Sequence, residues 1–102
     1  MTAPSRTPEQ RAEALERALE ARRERALIRA RLKSGDLQPR EVLESCDHNV
    51  AWGALPIRAF LTALPGVGVA KADAIMRDID IAESRRLRGL GERQRLELLQ
   101  VI

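Results

Sequence analysis

An all-α fold follows from three observations. No stretch of the chain alternates apolar and polar residues with the period of two that a half-buried strand requires. After Pro8, residues 9 to 33 are Ala, Glu, Arg, Gln, Leu, Ile or Lys without exception, and these are almost all strong helix formers. Beyond them, short apolar clusters at helical spacing alternate with Gly, Pro, Asp and Asn breakers. The expected architecture is one long N-terminal helix followed by a compact bundle of short helices. A tail and the long basic helix occupy 1–33, and the compact domain 34–102.

Residues 1–6 read as a disordered tail. Thr7-Pro8-Glu9-Gln10 then has the form of a helix start. Thr7 is the N-cap, Pro8 stands where a missing amide is harmless, and Gln10 is placed to complete a capping box. The helix carries a thin apolar stripe, Ala12, Leu15 and Leu19 in its first half and Leu27, Ile28 and Leu32 in its second. The first half has little to bury and is expected to project, while the second half packs on the body. Ser34-Gly35-Asp36 ends it, with Gly35 suited to the left-handed C-terminal position.

A short helix over 39–46 places Val42, Leu43 and Cys46 on an inner face, and Asp47-His48-Asn49 breaks it. Val50, Trp52 and Leu55 lead into a helix over 56–64 with Ile57, Phe60, Leu61 and Leu64 in register. Pro65-Gly66-Val67-Gly68 is a tight turn. A helix over 69–77 buries Ala72, Ile75 and Met76, and Ile79 and Ile81 anchor the irregular stretch that runs to Gly91. The last helix, 92–100, carries Leu96, Leu98 and Leu99.

At 102 residues the chain is long enough for one domain. Its single cysteine, Cys46, excludes an intrachain disulfide framework. Its apolar runs are far shorter than the roughly 18 to 20 residues needed to span a bilayer, and no signal-peptide core opens the sequence. A soluble, cytoplasmic protein is expected, without a membrane partner. The net charge is +3 and the pI about 10.0. All but two of the 18 cations are arginine, the exceptions being Lys33 and Lys71. The planar guanidinium forks onto phosphate oxygens where an ammonium acts as a point charge, though arginine is also a good helix former.

Charge is uneven along the chain. Residues 85 to 95 hold Arg85, Arg86, Arg88, Arg93 and Arg95 against Glu92 alone. Leu87 and Leu90 can pin this segment to the core with its arginines outward, and Gly89 and Gly91 let the backbone lie flat against a duplex. That is the electrostatic footprint of a polyanion site. The turn Leu64-Pro65-Gly66-Val67-Gly68 between two short helices has the form of a helix-hairpin-helix phosphate clamp. Its glycines allow close approach, the following helix offers its N-terminal amides, and Lys71 adds a full charge. A second reading fits the same residues, with Gly66 a helix C-cap, Gly68 a plain turn and Val67 tucked into the core. A further basic run, Arg22, Arg23, Arg25, Arg29 and Arg31, lies in the long helix. Ion pairs with Glu13, Glu16, Glu20 and Glu24 three or four residues away are expected to take up much of its charge.

No catalytic group is expected. Cys46 and His48 are too close in sequence to act as a pair on one helix face, and no second Cys or His completes a zinc site. Asp73, Asp78 and Asp80 are scattered by their spacing and better suited to salt bridges than to a metal. No nucleotide-binding fingerprint calls for a cofactor. With one Trp, one Phe and no Tyr, the chain lacks the aromatic platforms that stack unpaired bases. Duplex backbone binding remains.

Leu64-Pro65-Gly66-Val67-Gly68, Lys71-Ala72, Ile75-Met76 and above all Arg85-Arg86-Leu87-Arg88-Gly89-Leu90-Gly91-Glu92-Arg93-Gln94-Arg95 resemble the actinobacterial integration host factor family. Thr7-Pro8-Glu9-Gln10-Arg11-Ala12 and Ala21-Arg22-Arg23-Glu24-Arg25-Ala26 are similar to the start of its long helix. The resemblance implies a helix-two-turns-helix motif within 34–102, related in form to a small-subunit ribosomal protein of the S13 type. It also implies double-stranded DNA binding with little sequence preference, bending or compaction of DNA, a place on the nucleoid, and assistance to a phage integrase by a protein monomeric in solution. By match to the family motif, Arg85, Arg86, Arg88 and Arg93 would contact DNA, as would the hairpin residues Gly66, Val67, Gly68 and Lys71. Val69 departs from the lysine that many relatives carry after the hairpin glycine. The alternatives are a protein-interaction module, with the arginine run meeting an acidic surface, and a binder of structured RNA.

Overall fold

The fold is taken from a computed structural model, which describes residues 7–102; the tail expected over 1–6 lies outside them. Helix α1, Pro8–Ser34, starts as its sequence dictates. The Gln10 amide donates to Thr7 Oγ1 at 3.1 Å and the Thr7 amide donates to Gln10 Oε1 at 2.9 Å, a reciprocal capping box that satisfies two otherwise orphaned donors. Gly35 closes the helix at φ 83°, its amide bonded to the Leu32 carbonyl. Short helices follow: α2 (Pro39–Ser45), α3 (Val50–Gly53), α4 (Ile57–Ala63), α5 (Val69–Ile79) and α6 (Glu92–Val101). Helix α5 extends two residues past its expected end and stops at Asp80, which takes the left-handed conformation at φ 63°.

Helix α4 is the centre of the core. Ile57, Phe60 and Leu61 are completely buried, with α1 and α5 packed against α4. Ile28 and Leu32 from α1, Val42, Leu43 and Cys46 at α2, Leu87 and Leu90 from the arginine segment, and Leu98 from α6 join one cluster. Burial of Cys46 raises its thiol pKa, against the nearby Arg95 charge that would lower it. Most of the expected inner faces hold, but the rotation of α1 and α6 differs from the simplest reading. Leu27 is 60% exposed where Ile28 is buried, Leu96 is exposed where Leu98 is buried, and Ile75 is only half-buried. A helix with two adjacent apolar residues can bury only the one on its inward arc, and the body sets that arc.

Helix α3 was not expected as an element. Its four residues are too few for a periodicity, and it is held by the Asn49 side chain, whose Oδ1 accepts the Trp52 amide at 3.1 Å. The stretch after α5 is also more ordered than its composition suggests. The Ile57 amide donates to the Arg85 carbonyl and the Leu87 amide to the Leu55 carbonyl, each at 3.0 Å, forming an isolated antiparallel bridge between Pro56 and Arg86. A single 3₁₀ turn, Leu87–Gly89, completes it.

Candidate nucleic-acid interface

The hairpin lies between α4 and α5. Gly66 adopts φ 76°, which an L side chain rarely takes, and the Val67 amide returns to the Leu64 carbonyl at 3.1 Å. Gly68 is extended, at φ −90° and ψ −176°, and caps α5 with no side-chain acceptor. The amides from Gly68 to Lys71 are therefore the uncapped donors of a helix N-terminus, on residues that are all exposed. The helix dipole favours an anion there. Val67 is half-buried against the core, so the turn is at once a packing device and an open donor set. The Arg58 guanidinium fixes the angle between α4 and α5 by a fork onto Asp73, with Nη2 at 2.7 and 2.8 Å from the two carboxylate oxygens. Asp73 is thus a salt-bridging residue.

The arginine segment is anchored at the opposite end of α4. Seven residues at about 1.5 Å each separate the two ends by about 10 Å. Arg85 folds over Gly89 and donates from Nη1 to its carbonyl at 2.9 Å, and a Cβ at Gly89 would lie 3.0 Å from the Arg85 Cδ. Arg86 donates from Nη1 to the Ala54 carbonyl. These acceptors are neutral, so both guanidiniums are oriented without losing their charge. Arg88 makes no ion pair or side-chain hydrogen bond among the described residues. Its Cβ rests against Gly53, where an added methyl would lie 3.2 Å from it and 2.7 Å from the Cys46 carbonyl oxygen.

The remaining two arginines of the run correct the sequence-based picture of a nearly unopposed cluster. Arg93 pairs with Glu97 at 2.8 Å, one helical turn on, and both are well exposed. Arg95 turns inward and forks onto Asp47 at 2.9 and 3.2 Å, its side chain only 22% exposed. Its Nε is buried without an acceptor. The guanidinium hydrogen bonds, and then its charge, hold the Asp47 carboxyl below the usual range. The carboxylates come from outside the 85 to 95 window, one of them 48 residues away.

Among the described residues, the ion pairs expected between the arginines of the basic run in α1 and its glutamates do not form. Arg22, Arg23, Arg25 and Arg29 have no ion-pair partner among the described residues. The acids recur at 9, 13, 16, 20 and 24, and four of the arginines at 11, 22, 25 and 29, so most i+3 and i+4 neighbours are like charges or apolar. At about 100° per residue the five acids fall within an arc of about 80°, and those four arginines within an arc of about 60° on the other side. The arginine edge reaches the hairpin side of the molecule. Arg29 borders a shallow groove along α4 lined also by Pro56, Arg58, Ala59, Thr62, Val69 and the carboxylate of Glu83, which joins the start of α5 to the bridge beside Arg86. Its register with Arg22 and Arg25 was the signal in the sequence.

Residues 32–101 match the model of the S13-like H2TH domain. The chain is 48% identical over 100 residues to the integration host factors of Mycolicibacterium smegmatis and Mycobacterium tuberculosis, covering 98% of this chain and 95% of each relative. It belongs to the integration host factor family. The integration host factor of Streptomyces coelicolor is 48% identical over 94 residues, covering 92% of this chain and 88% of that one. The structure of sIHF bound to an 8-bp palindromic DNA superposes with a TM-score of 0.81 at 42% identity, over 84% of this chain and 97% of that chain. The expected helix-two-turns-helix architecture is therefore that of this integration host factor family member. No helix of its described residues is long and apolar enough to cross a membrane.

Proposed function

We propose that this protein is a nucleoid-associated, double-stranded DNA-binding protein that grips phosphates with little sequence preference and bends or compacts the duplex. The observation that carries the reading is the state of Arg85 and Arg86: both are aimed by backbone carbonyls and both keep their full charge. A charged fork already oriented loses less freedom on meeting a phosphate than a loose one. The hairpin end of α4, with Gly66, Val67, Gly68 and Lys71, provides a second grip about 10 Å away, close to three base-pair rises of about 3.4 Å. Arg88 reaches the backbone directly, and Arg93 exchanges Glu97 for a phosphate. Residues 34–102 make up the DNA-binding unit, and α1 flanks it with Arg29 on the rim of the groove. Gln94, the amide side chain beside the arginine run, is tied to the Gly91 amide and the Asp80 carbonyl, so shape and deformability of the duplex decide where the protein binds.

The protein acts in the cytoplasm on the nucleoid, as a monomer in solution, and assists a phage integrase by shaping its DNA. A gel shift with several unrelated duplexes, comparing the wild type with an Arg85/Arg86/Arg88 triple alanine, tests the reading. Binding to every duplex by the wild type and its loss on all of them by the triple variant is the expected result. Equal binding by the two proteins refutes it, and loss on one duplex alone shows base readout instead.

A further inference from the structure

The acidic edge of α1 borders a second feature, on the flank away from the arginine groove. Between α1 and α3 lies a recess of about 420 Å³ lined by Glu24, Leu27, Ile28, Ala51 and Trp52. Val50, which precedes the lining residues Ala51 and Trp52 in α3, is 86% exposed, and Leu27 in the lining is mostly exposed as well. The indole N–H of Trp52 makes no hydrogen bond among the described residues. An aromatic ring with an unused donor, sharing a recess with an exposed leucine, has the composition of an interface centre. Glu13, Glu16, Glu20 and Glu24 run along the edge of α1 above it, in the same arc as Leu27 and without ion pairs. Arg31, which also borders the recess, is neutralised by Asp36 at 3.0 Å.

We propose that this recess docks a cationic amphipathic helix of a partner protein, its aliphatic side chains entering between Leu27 and Trp52 and its lysines or arginines facing the glutamates of α1. The charge of the edge selects the occupant. Four carboxylates against Arg17 and Arg23 at the borders of the same arc leave the edge net negative, which disfavours nucleic acid and attracts a basic segment. An amphipathic helix laid in a groove meets both requirements at i, i+3 and i+4 spacing.

Trp52 is the sole tryptophan and the chain has no tyrosine, so its emission reports the recess directly. The probe is a synthetic 14-residue helix of Leu and Lys in amphipathic order, titrated into the DNA-free protein beside a Leu/Glu counterpart and a Lys peptide without Leu. A saturable blue shift with the Leu/Lys helix alone is expected. Charge reversal by Glu20→Lys with Glu24→Lys weakens it about tenfold, and Val50→Asp, a change at an open surface position, weakens it at least as much. Melting temperature and duplex binding of Val50→Asp stay at wild-type values. Equal binding of the Leu/Glu helix or of the Lys peptide, or indifference to these substitutions, overturns the proposal. An emission shift that follows protein concentration without peptide overturns it too, because a second copy then covers the recess.

Discussion

Gly53→Ala separates the packing that seats Arg88 from the intrinsic preferences of the chain. Gly53 is buried in α3, in a helical conformation where alanine is favoured over glycine by about 1 kcal/mol. Propensity alone therefore predicts a stabilised variant. The structure predicts the reverse, because the new methyl would lie 2.7 Å from the Cys46 carbonyl oxygen and 3.2 Å from the Arg88 Cβ. The first neighbour is backbone at the end of α2 and cannot rotate away. Overpacking of this kind costs about 1–3 kcal/mol. Set against the propensity gain, a net loss of up to about 2 kcal/mol remains, and a domain of this size loses about 4–8 °C of melting temperature for each. Thermal unfolding followed by far-UV circular dichroism gives the shift. Duplex binding measured where the variant is fully folded should also fall, since α3 and the 3₁₀ turn move apart and carry Arg88 with them. A melting temperature equal to or above the wild type would show that α3 does not press on Cys46 and Arg88, and the reasoning would fail.

The two hairpin glycines should behave differently. Gly66→Ala is strained at φ 76° and should cost about 1–2 kcal/mol in a melt, whereas Gly68→Ala meets nothing within 4 Å and should melt like the wild type while binding duplex more weakly. A Gly68→Ala protein with normal affinity would remove the close approach of a phosphate there. Glu97→Gln releases Arg93 from an exposed pair worth about 0.3–0.5 kcal/mol, so affinity for a random duplex should rise about twofold, and a fall would place Arg93 outside the interface. The pairing of Asp47 with Arg95 depresses the carboxyl pKa in the folded state. Its stabilising contribution is therefore full above the unfolded carboxyl value of about 3.9 and is lost as pH falls through the folded one. Urea midpoints should show Asp47→Asn less stable than the wild type at pH 7, with the gap closing near pH 2. A gap that persists in acid would contradict the assignment.

Local chemistry made most of the fold legible. The capping box at Thr7 and the glycine at 35 bound α1, and Ile57, Phe60, Leu61 and Leu64 marked the buried face of α4 before any neighbour was known. What escaped was set by distant partners. Nothing near Arg86 in sequence points to the Ala54 carbonyl, and nothing near Arg95 to Asp47. Counting charges inside one window therefore overstated the free arginines of that run, since two of the five are paired. The same limit worked the other way in α1. Proximity in sequence suggested paired charges, but the intervals between like residues sort the acids to one edge and Arg11, Arg22, Arg25 and Arg29 to the other. The arginine run and the hairpin could each be read as anion sites, yet only the fold sets them at the two ends of one seven-residue helix.

The central claim is that charge on this face is used to neutralise phosphates. The salt dependence of duplex affinity measures that use most directly. If Arg85, Arg86, Arg88 and Arg93 each meet one phosphate, log affinity for a random duplex falls against log salt with a slope of roughly −3.6, at about −0.9 per contact. Arg88→Ala, which breaks no internal bond, reduces the slope to roughly −2.7 at an unchanged melting temperature. A flat salt response, or a slope that Arg88→Ala leaves untouched, would contradict the account.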